Sequence, residues 1–331
     1  MAQANIAGIR LTLDGADLTS KLDPRLTELT LNEQRGGEAD ELTLTLHNTD
    51  GRLAIPSDGK ILSLALGWLS GSEVATGLVS KGQFKVDEVE ASGPPDQIRI
   101  TARSADLAGS YRKRRTGSWK DTTLSAILTE IATRNSITAQ IHPDLASKAI
   151  VTLDQNGKSD MALVRDLGSR YDAVATWKDR KLIFMPVGSS TTALGKAIPS
   201  TVLTREQGWQ WRFTRATRDQ NDAVEAQWHD QASGRRKTYS TGGSNPKRLK
   251  RTYASEADAK AAADGEAKKR ARGGYSFEYD LALADCTLAP NGKVSLSGWG
   301  STIDAIKWLI TSVETRWTDR GIRQRIILQS A

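Results

Sequence analysis

The stretch SDMALVRDLGSRYDAVATWKDRKLIF (Ser159–Phe184) decides how the rest of the chain reads. Ser159 stands where a hydroxyl can cap a helix by accepting from a backbone N–H two or three residues on. Met161, Val164 and Leu167 then fall on one helical face, Leu163 widens it, and Gly168 to Tyr171 closes it. Two strands follow, AVATWK and KLIFMP, about the corner Asp179-Arg180. The result is a small packing unit. It has no nucleophile–base pair, no metal cluster and no phosphate loop.

Upstream, the period is two. In DELTLTLHN, Leu42, Leu44 and Leu46 share one face and Thr43 and Thr45 the other. IRLTLDG and TELTLNEQ alternate in the same way, and ILSLALGW reads as a further strand. GQFKVDEVEASGPPDQIRITARS predicts a hairpin turning at Gly93-Pro94-Pro95-Asp96, where proline fixes φ and removes a ladder donor. Short antiparallel strands at this spacing predict a first β-barrel over residues 1–105. The period then changes. DTTLSAILTEIATRNS puts Leu124, Ile127, Leu128 and Ile131 on one helical stripe, with Asp121 as the expected N-cap. IHPDLASKAIVTLDQNGK reads as a connector with a short strand, and DQNGKSD as a turn before the Ser159 cap. Together with Ser159–Phe184 this predicts an α/β connector domain over residues 106–199.

Downstream, strands return. A second β-barrel is expected over residues 200–235 and 275–331, closing with two long strands, Trp308 to Thr318 and Ile322 to Gln329, about Asp319-Arg320-Gly321. Residues 236–274 interrupt it as a basic helical insertion. SEADAKAAADGEAKKRARGG begins Ser255-x-x-Asp258 like a capping box, carries acids early and bases late to suit the helix dipole, and stops at Gly273-Gly274. The expected fold class is mainly β with α/β elements: two small antiparallel β-barrels joined by a small α/β domain, with a helical insertion in the second barrel.

Composition narrows the function. A chain of 331 residues suggests about two domains or a few smaller ones. With 38% hydrophobic and 26% charged residues it should be globular with real cores. Its single cysteine, Cys286, excludes an internal disulfide, and a reducing cytoplasm is the expected place of folding. The first residues lack a charged and then apolar leader, and no run of about 18 apolar residues predicts a membrane-spanning helix. His47, His142 and His229 lie in separate segments without metal-site spacing. Cys286 reads as a small hydrophobe. Asp87, Glu88 and Glu90 read as a solvated strand face. No Walker, Rossmann or nucleophile-elbow pattern occurs. No cofactor and no metal are expected, and no enzymatic activity.

The net charge is +7, and it is local: residues 235–272 hold twelve basic residues against four acidic ones. The candidate partner-interface residues are Arg235, Arg236, Lys237, Lys247, Arg248, Lys250 and Arg251, with a second run at Arg112, Lys113, Arg114 and Arg115. Such runs, interleaved with Tyr111, Trp119, Tyr239 and Tyr253, could grip phosphates and stack on bases. Equally they could dock an acidic protein surface. No sequence-specific nucleic-acid motif accompanies them, so a basic nucleic-acid-binding protein stands as the alternative reading.

The segments RGGEADELTLTLHNTDGRL, GQFKVDEVEASGPPDQIRITARSADL, RKRRTGSWKDTTLSAILTEIA and SDMALVRDLGSRYDAVATWKDRKLIF, in that order, resemble the late control gene D protein family. These are tail hub proteins of contractile-tailed phages, similar to the hub portion of type VI secretion spike proteins. The resemblance spans about residues 20 to 190 and resumes at GWGSTIDAIKWLI. Family members often carry Asp-Gly or Asn-Gly where this chain has Asp179-Arg180. The resemblance implies a non-enzymatic homotrimer whose two barrels per subunit present six similar units, so that a three-fold central spike can meet a six-fold tail tube. It further implies tape-measure protein in an axial channel and baseplate wedge proteins as neighbours. Residence in the virion tail baseplate, after assembly in the bacterial host cytoplasm, follows from the same resemblance. Candidates for subunit interfaces or barrel cores are Trp68, Trp119, Trp209, Trp211, Trp228, Trp299, Trp308 and Trp317.

Overall fold

The computed structural model describes residues 3–22, 24–54, 57, 59–104, 110–216 and 221–331. The expected boundary between residues 105 and 106 lies outside the described residues. The molecule is mainly β, as its alternating segments require. Leu42, Leu44 and Leu46 all point inward from the strand Glu41–His47, and the threonines between them are only partly covered.

Two separate closed barrels were expected; the strand pairing differs. One 13-stranded sheet runs through both halves, and among the described residues no sheet closes on itself. From one edge the order is Gly208–Arg215, Tyr275–Leu281, Gly321–Ser330, Trp308–Thr318, Leu26–Gln34 and Glu41–His47. It continues through Gln97–Arg103, Gly77–Ser92, Ile61–Ser70 and Ile6–Leu13 to the short Ala16–Asp17. Lys293–Ser297 and Thr201–Thr204 branch from Trp308–Thr318.

The joint is the antiparallel pairing of Trp308–Thr318 with Leu26–Gln34, where Thr315 opposes Leu31 and Trp317 opposes Leu29. Arg316 reaches Glu28 across it at 2.6 Å. The C-terminal hairpin thus delivers Trp317 and Ile322 into the first core, beside Leu29, Leu31, Leu42, Leu44 and Leu66. Trp68 of that core donates its indole N–H to the Ala284 carbonyl at 2.9 Å. Cys286 also packs there, from a turn. The second core is aromatic: Trp299 meets Phe277 and Tyr279 edge-on at 5.2 and 5.0 Å, with Trp308, Ile326 and Leu328 around them.

The connector has its own core. Leu124, Ile127, Leu128 and Ile131 of the helix Leu124–Arg134 meet Leu163, Val164 and Leu167 of the helix Asp160–Arg170 and Leu182 and Phe184 of the strand Lys181–Pro186. At about 2 kcal/mol per fully buried aliphatic side chain, these contacts define the unit. Ser159 caps its helix as expected, accepting from the Ala162 N–H at 3.2 Å. Met161 is only partly covered; the buried stripe is Leu163, Val164 and Leu167. Gly168 is required because a Cβ there would lie 2.8 Å from that of Ala175. At the Asp179-Arg180 corner both residues take positive φ, 50° and 57°. That is the requirement of a two-residue type I′ hairpin, met here without glycine.

Two local expectations shift. The cap of Leu124–Arg134 is Thr123 and not Asp121, because the strand Arg114–Thr123 runs on through Asp121 in antiparallel pairing with Ala149–Ser159. DQNGK is likewise part of that second strand. Its irregularity falls between Asn156 and Lys158, where Gly157 takes φ +65° as a bulge residue.

Candidate partner interface

The residues named from sequence fall on two sheets. Ala223–Asp230 leaves the large sheet's company and forms the centre of a three-stranded sheet, paired antiparallel with Arg235–Ser240 and parallel with Pro246–Tyr253. The helix Glu256–Arg272 covers one face, burying Ala259 and Ala263 against Val224, Ala226 and Trp228, with Tyr239, Leu249 and Tyr253 alongside. The segment expected as a helical insertion is therefore a compact βββα unit, and the expected boundary at 235 cuts through its sheet. The unit forms because its strands alternate: Tyr239 and Leu249 turn toward the helix, and the charged residues between them remain outside.

Arg235, Arg236, Lys237, Lys247, Arg248, Lys250 and Arg251 are all exposed, and the two flanking strands bring them onto one unit. They differ in electrostatics. Lys237 pairs with Asp230 at 2.5 Å, Lys247 with Glu266 at 2.6 Å and Arg248 with Glu225 at 3.0 Å. The ammonium of Lys237, with the Ser233 hydroxyl, holds the Asp230 carboxyl down at about 2. Arg251 lies over the Tyr253 ring at 5.9 Å. Arg235, Arg236 and Lys250 have no salt-bridge partner among the described residues, and they carry the charge this unit offers to solvent.

Arg112, Lys113, Arg114 and Arg115 lie elsewhere, at the start of Arg114–Thr123 in the connector. The first three are exposed. Arg115 turns inward, its Nε 3.5 Å from Asp160. Asp160 is wholly buried and also accepts from Arg134 at 2.6 Å, Asn135 at 2.8 Å and Gln155 at 2.8 Å. Arg115 is thus a structural charge, and it leaves the candidate surface.

The tryptophans sort clearly. Trp68, Trp228, Trp299, Trp308 and Trp317 are core residues. Trp119 is half-buried, donating to Glu130 at 2.7 Å under the Arg134 guanidinium. Trp209 and Trp211 are exposed, 54% and 39%, on Gly208–Arg215. That strand is an outer edge of the large sheet, pairing only with Tyr275–Leu281. An edge strand with two exposed indoles is a surface that proteins cover. The sequence named both residues among eight. Only the strand order separates them from the core.

Several of the residues weighed for chemistry have structural partners. His47 bonds the Pro24 carbonyl at 2.9 Å, and His142 bonds Thr191 at 2.8 Å and accepts from the Asp144 N–H. Burial pushes the Cys286 thiol up to about 11. Asp87 pairs with Arg103 at 2.6 Å. Among the described residues no group of three His, Cys, Asp or Glu side chains could hold a metal, and no helix is long and apolar enough to cross a membrane.

The chain matches known proteins along its length. The chain is 34% identical to the probable baseplate hub protein of Escherichia phage 186 over 361 residues, covering 96% of this chain and 92% of that one. The probable baseplate hub protein of Escherichia phage P2 gives the same identity and coverage over 360 residues. In structure it is similar to a tail protein from Neisseria meningitidis MC58, with a TM-score of 0.71 at 11% identity, covering 98% and 97% of the two chains. The 43 kDa tail protein of prophage MuSo2 from Shewanella oneidensis gives a TM-score of 0.69 at 16% identity over 97% and 98%. These two likenesses speak to the fold alone. The profile of the phage tail baseplate hub (GPD) family matches residues 41–321, and the chain belongs to that family.

Proposed function

We propose that this hub protein acts as a homotrimeric symmetry adaptor, joining a three-fold central spike to the six-fold tail tube of a contractile phage tail or tail-like particle. The observation that carries the proposal is the presence of two cores on one sheet. One core is served by seven strands from the N-terminal half and the other by six from the C-terminal part. Three such chains offer six core-bearing units, and the Leu26–Gln34 joint sets the angle between the two units of each chain. The proposed domain division takes residues 1–105 as one unit, residues 200–216 with 275–331 as the other and 106–199 as the connector, with the basic insertion beginning at the strand Ala223–Asp230 and running through the helix Glu256–Arg272. The exposed edge Gly208–Arg215 supports coverage by a neighbouring subunit.

In this role the protein transforms no substrate. Its partners are the spike, the tube, tape-measure protein in the channel and the wedge proteins, within the baseplate of the virion tail after assembly in the host cytoplasm. The exposed Arg235, Arg236 and Lys250 dock an acidic patch on one of them. Native mass measurement of the purified chain, alone and with its spike, tests the proposal. Three copies per complex is the expected result. A monomer both alone and with spike would refute it.

A further inference from the structure

A cleft of about 340 Å3 lies where three parts of the molecule meet. Arg35 enters it from just past the strand Leu26–Gln34, Arg165 and Asp172 from the connector, Lys269 and Arg272 from the helix Glu256–Arg272, and Thr311 from the strand Trp308–Thr318. Four cationic side chains therefore surround one carboxylate. Asp172 is already bonded to the Arg272 Nη2. Arg165 donates to the Gly37 carbonyl at 2.6 Å.

Two guanidinium nitrogens are buried without a partner among the described residues: Nη1 of Arg35 and Nε of Arg272, whose side chain is nine-tenths buried. Arg35 has no ion pair there either, although its backbone is held by the Thr311 carbonyl at 2.9 Å. Burial, and the charge of Arg272 beside it, pull the Arg35 guanidinium down to about 10. A half-buried cation facing a second cation is costly unless a counter-charge completes the site.

We propose that this cleft is an oxyanion site that takes a phosphate or carboxylate group, with Arg35 and Arg272 as its principal cations and Lys269 at its rim. The guanidinium fork matches both anions in two-point hydrogen bonding, and a chloride ion cannot reproduce that geometry. Because the lining comes from three parts of the chain, an anion here ties the βββα unit to the connector and to the large sheet. Its source is either free phosphate or an acidic side chain of another protein.

Calorimetric titration of the full-length protein with inorganic phosphate and with a hexaglutamate peptide, in potassium chloride of matched ionic strength, tests the site. Saturable binding of at least one probe is expected, weakened about tenfold or more by Arg35→Gln and about threefold by Lys269→Gln. Lys269 is exposed, so its variant keeps the test decisive if Arg35→Gln does not fold. Phosphate binding alone would assign a free anion, and peptide binding alone a partner's carboxylate; either supports the site. Absence of saturable binding by both probes, or binding unchanged in the folded variants, would overturn it.

Discussion

Asp160 shows how much of this protein is fixed by single residues. Its buried carboxylate collects Arg134, Asn135, Gln155 and Arg115 and fastens the first connector helix to the second. Asp160→Ala leaves the half-buried Arg134 facing the exposed Glu130 at 3.7 Å in place of its buried counter-charge. It should cost about 3 kcal/mol, read as a lower urea midpoint at constant slope. Ser159→Ala, which removes only the cap bond to Ala162, should cost about 1 kcal/mol in the same assay. The pair of exposed Lys237 with partly buried Asp230 gives a pH dependence of known sign. Its folded carboxyl titrates at about 2, below the ordinary 3.8. The stabilisation is present above 3.8 and is lost as the pH falls toward 2. Carboxyl NMR should show Asp230 moving back toward 3.8 in Lys237→Met; no movement would remove the pair from the account. Residue-scale features were legible wherever they are local. The Ser159 and Ser255 caps can be read directly, since each depends on the next three residues. Asp121 is not the cap because it lies inside the strand Arg114–Thr123, whose pairing with Ala149–Ser159 the neighbouring residues in sequence do not encode.

At the scale of elements, the alternating strands and the amphipathic helices were readable, but their partners were not. Arg316 and Glu28 face each other across the central joint although they are 288 positions apart in sequence. Nothing in either strand names the other, so one fused sheet was read as two barrels. The basic segment was legible in composition and misjudged in form, because the run between Arg235 and Arg251 hides the inward Tyr239 and Leu249 that make it a sheet. That form separates two kinds of charge. The double variant R236E/K250E, with both residues free of internal pairs, should abolish co-purification with tail partners at unchanged melting temperature. The double variant K247E/R248E breaks ion pairs to Glu266 and Glu225, and should lower the melting temperature by a few degrees as well. Unchanged partner affinity and salt response in R236E/K250E would remove this face from the docking surface.

For the whole molecule, the fused sheet is the property that suits a hub. Two cores linked by a continuous hydrogen-bonded ladder resist bending at the joint, and the Trp317, Ala284 and Cys286 side chains of the C-terminal region lock into the first core. In the proposed trimer, the exposed edge with Trp209 and Trp211 is the surface a neighbouring subunit would cover. A nucleic-acid binder would need neither the linked cores nor that edge, and it would lose affinity steeply with salt. The most direct measurement is a reconstruction of the assembled tail tip by electron cryomicroscopy without imposed symmetry. The account predicts three copies of this chain around the tail axis, each placing both of its core-bearing halves in one ring of six against the tube. A single copy, or copies bound away from the axis, would contradict it.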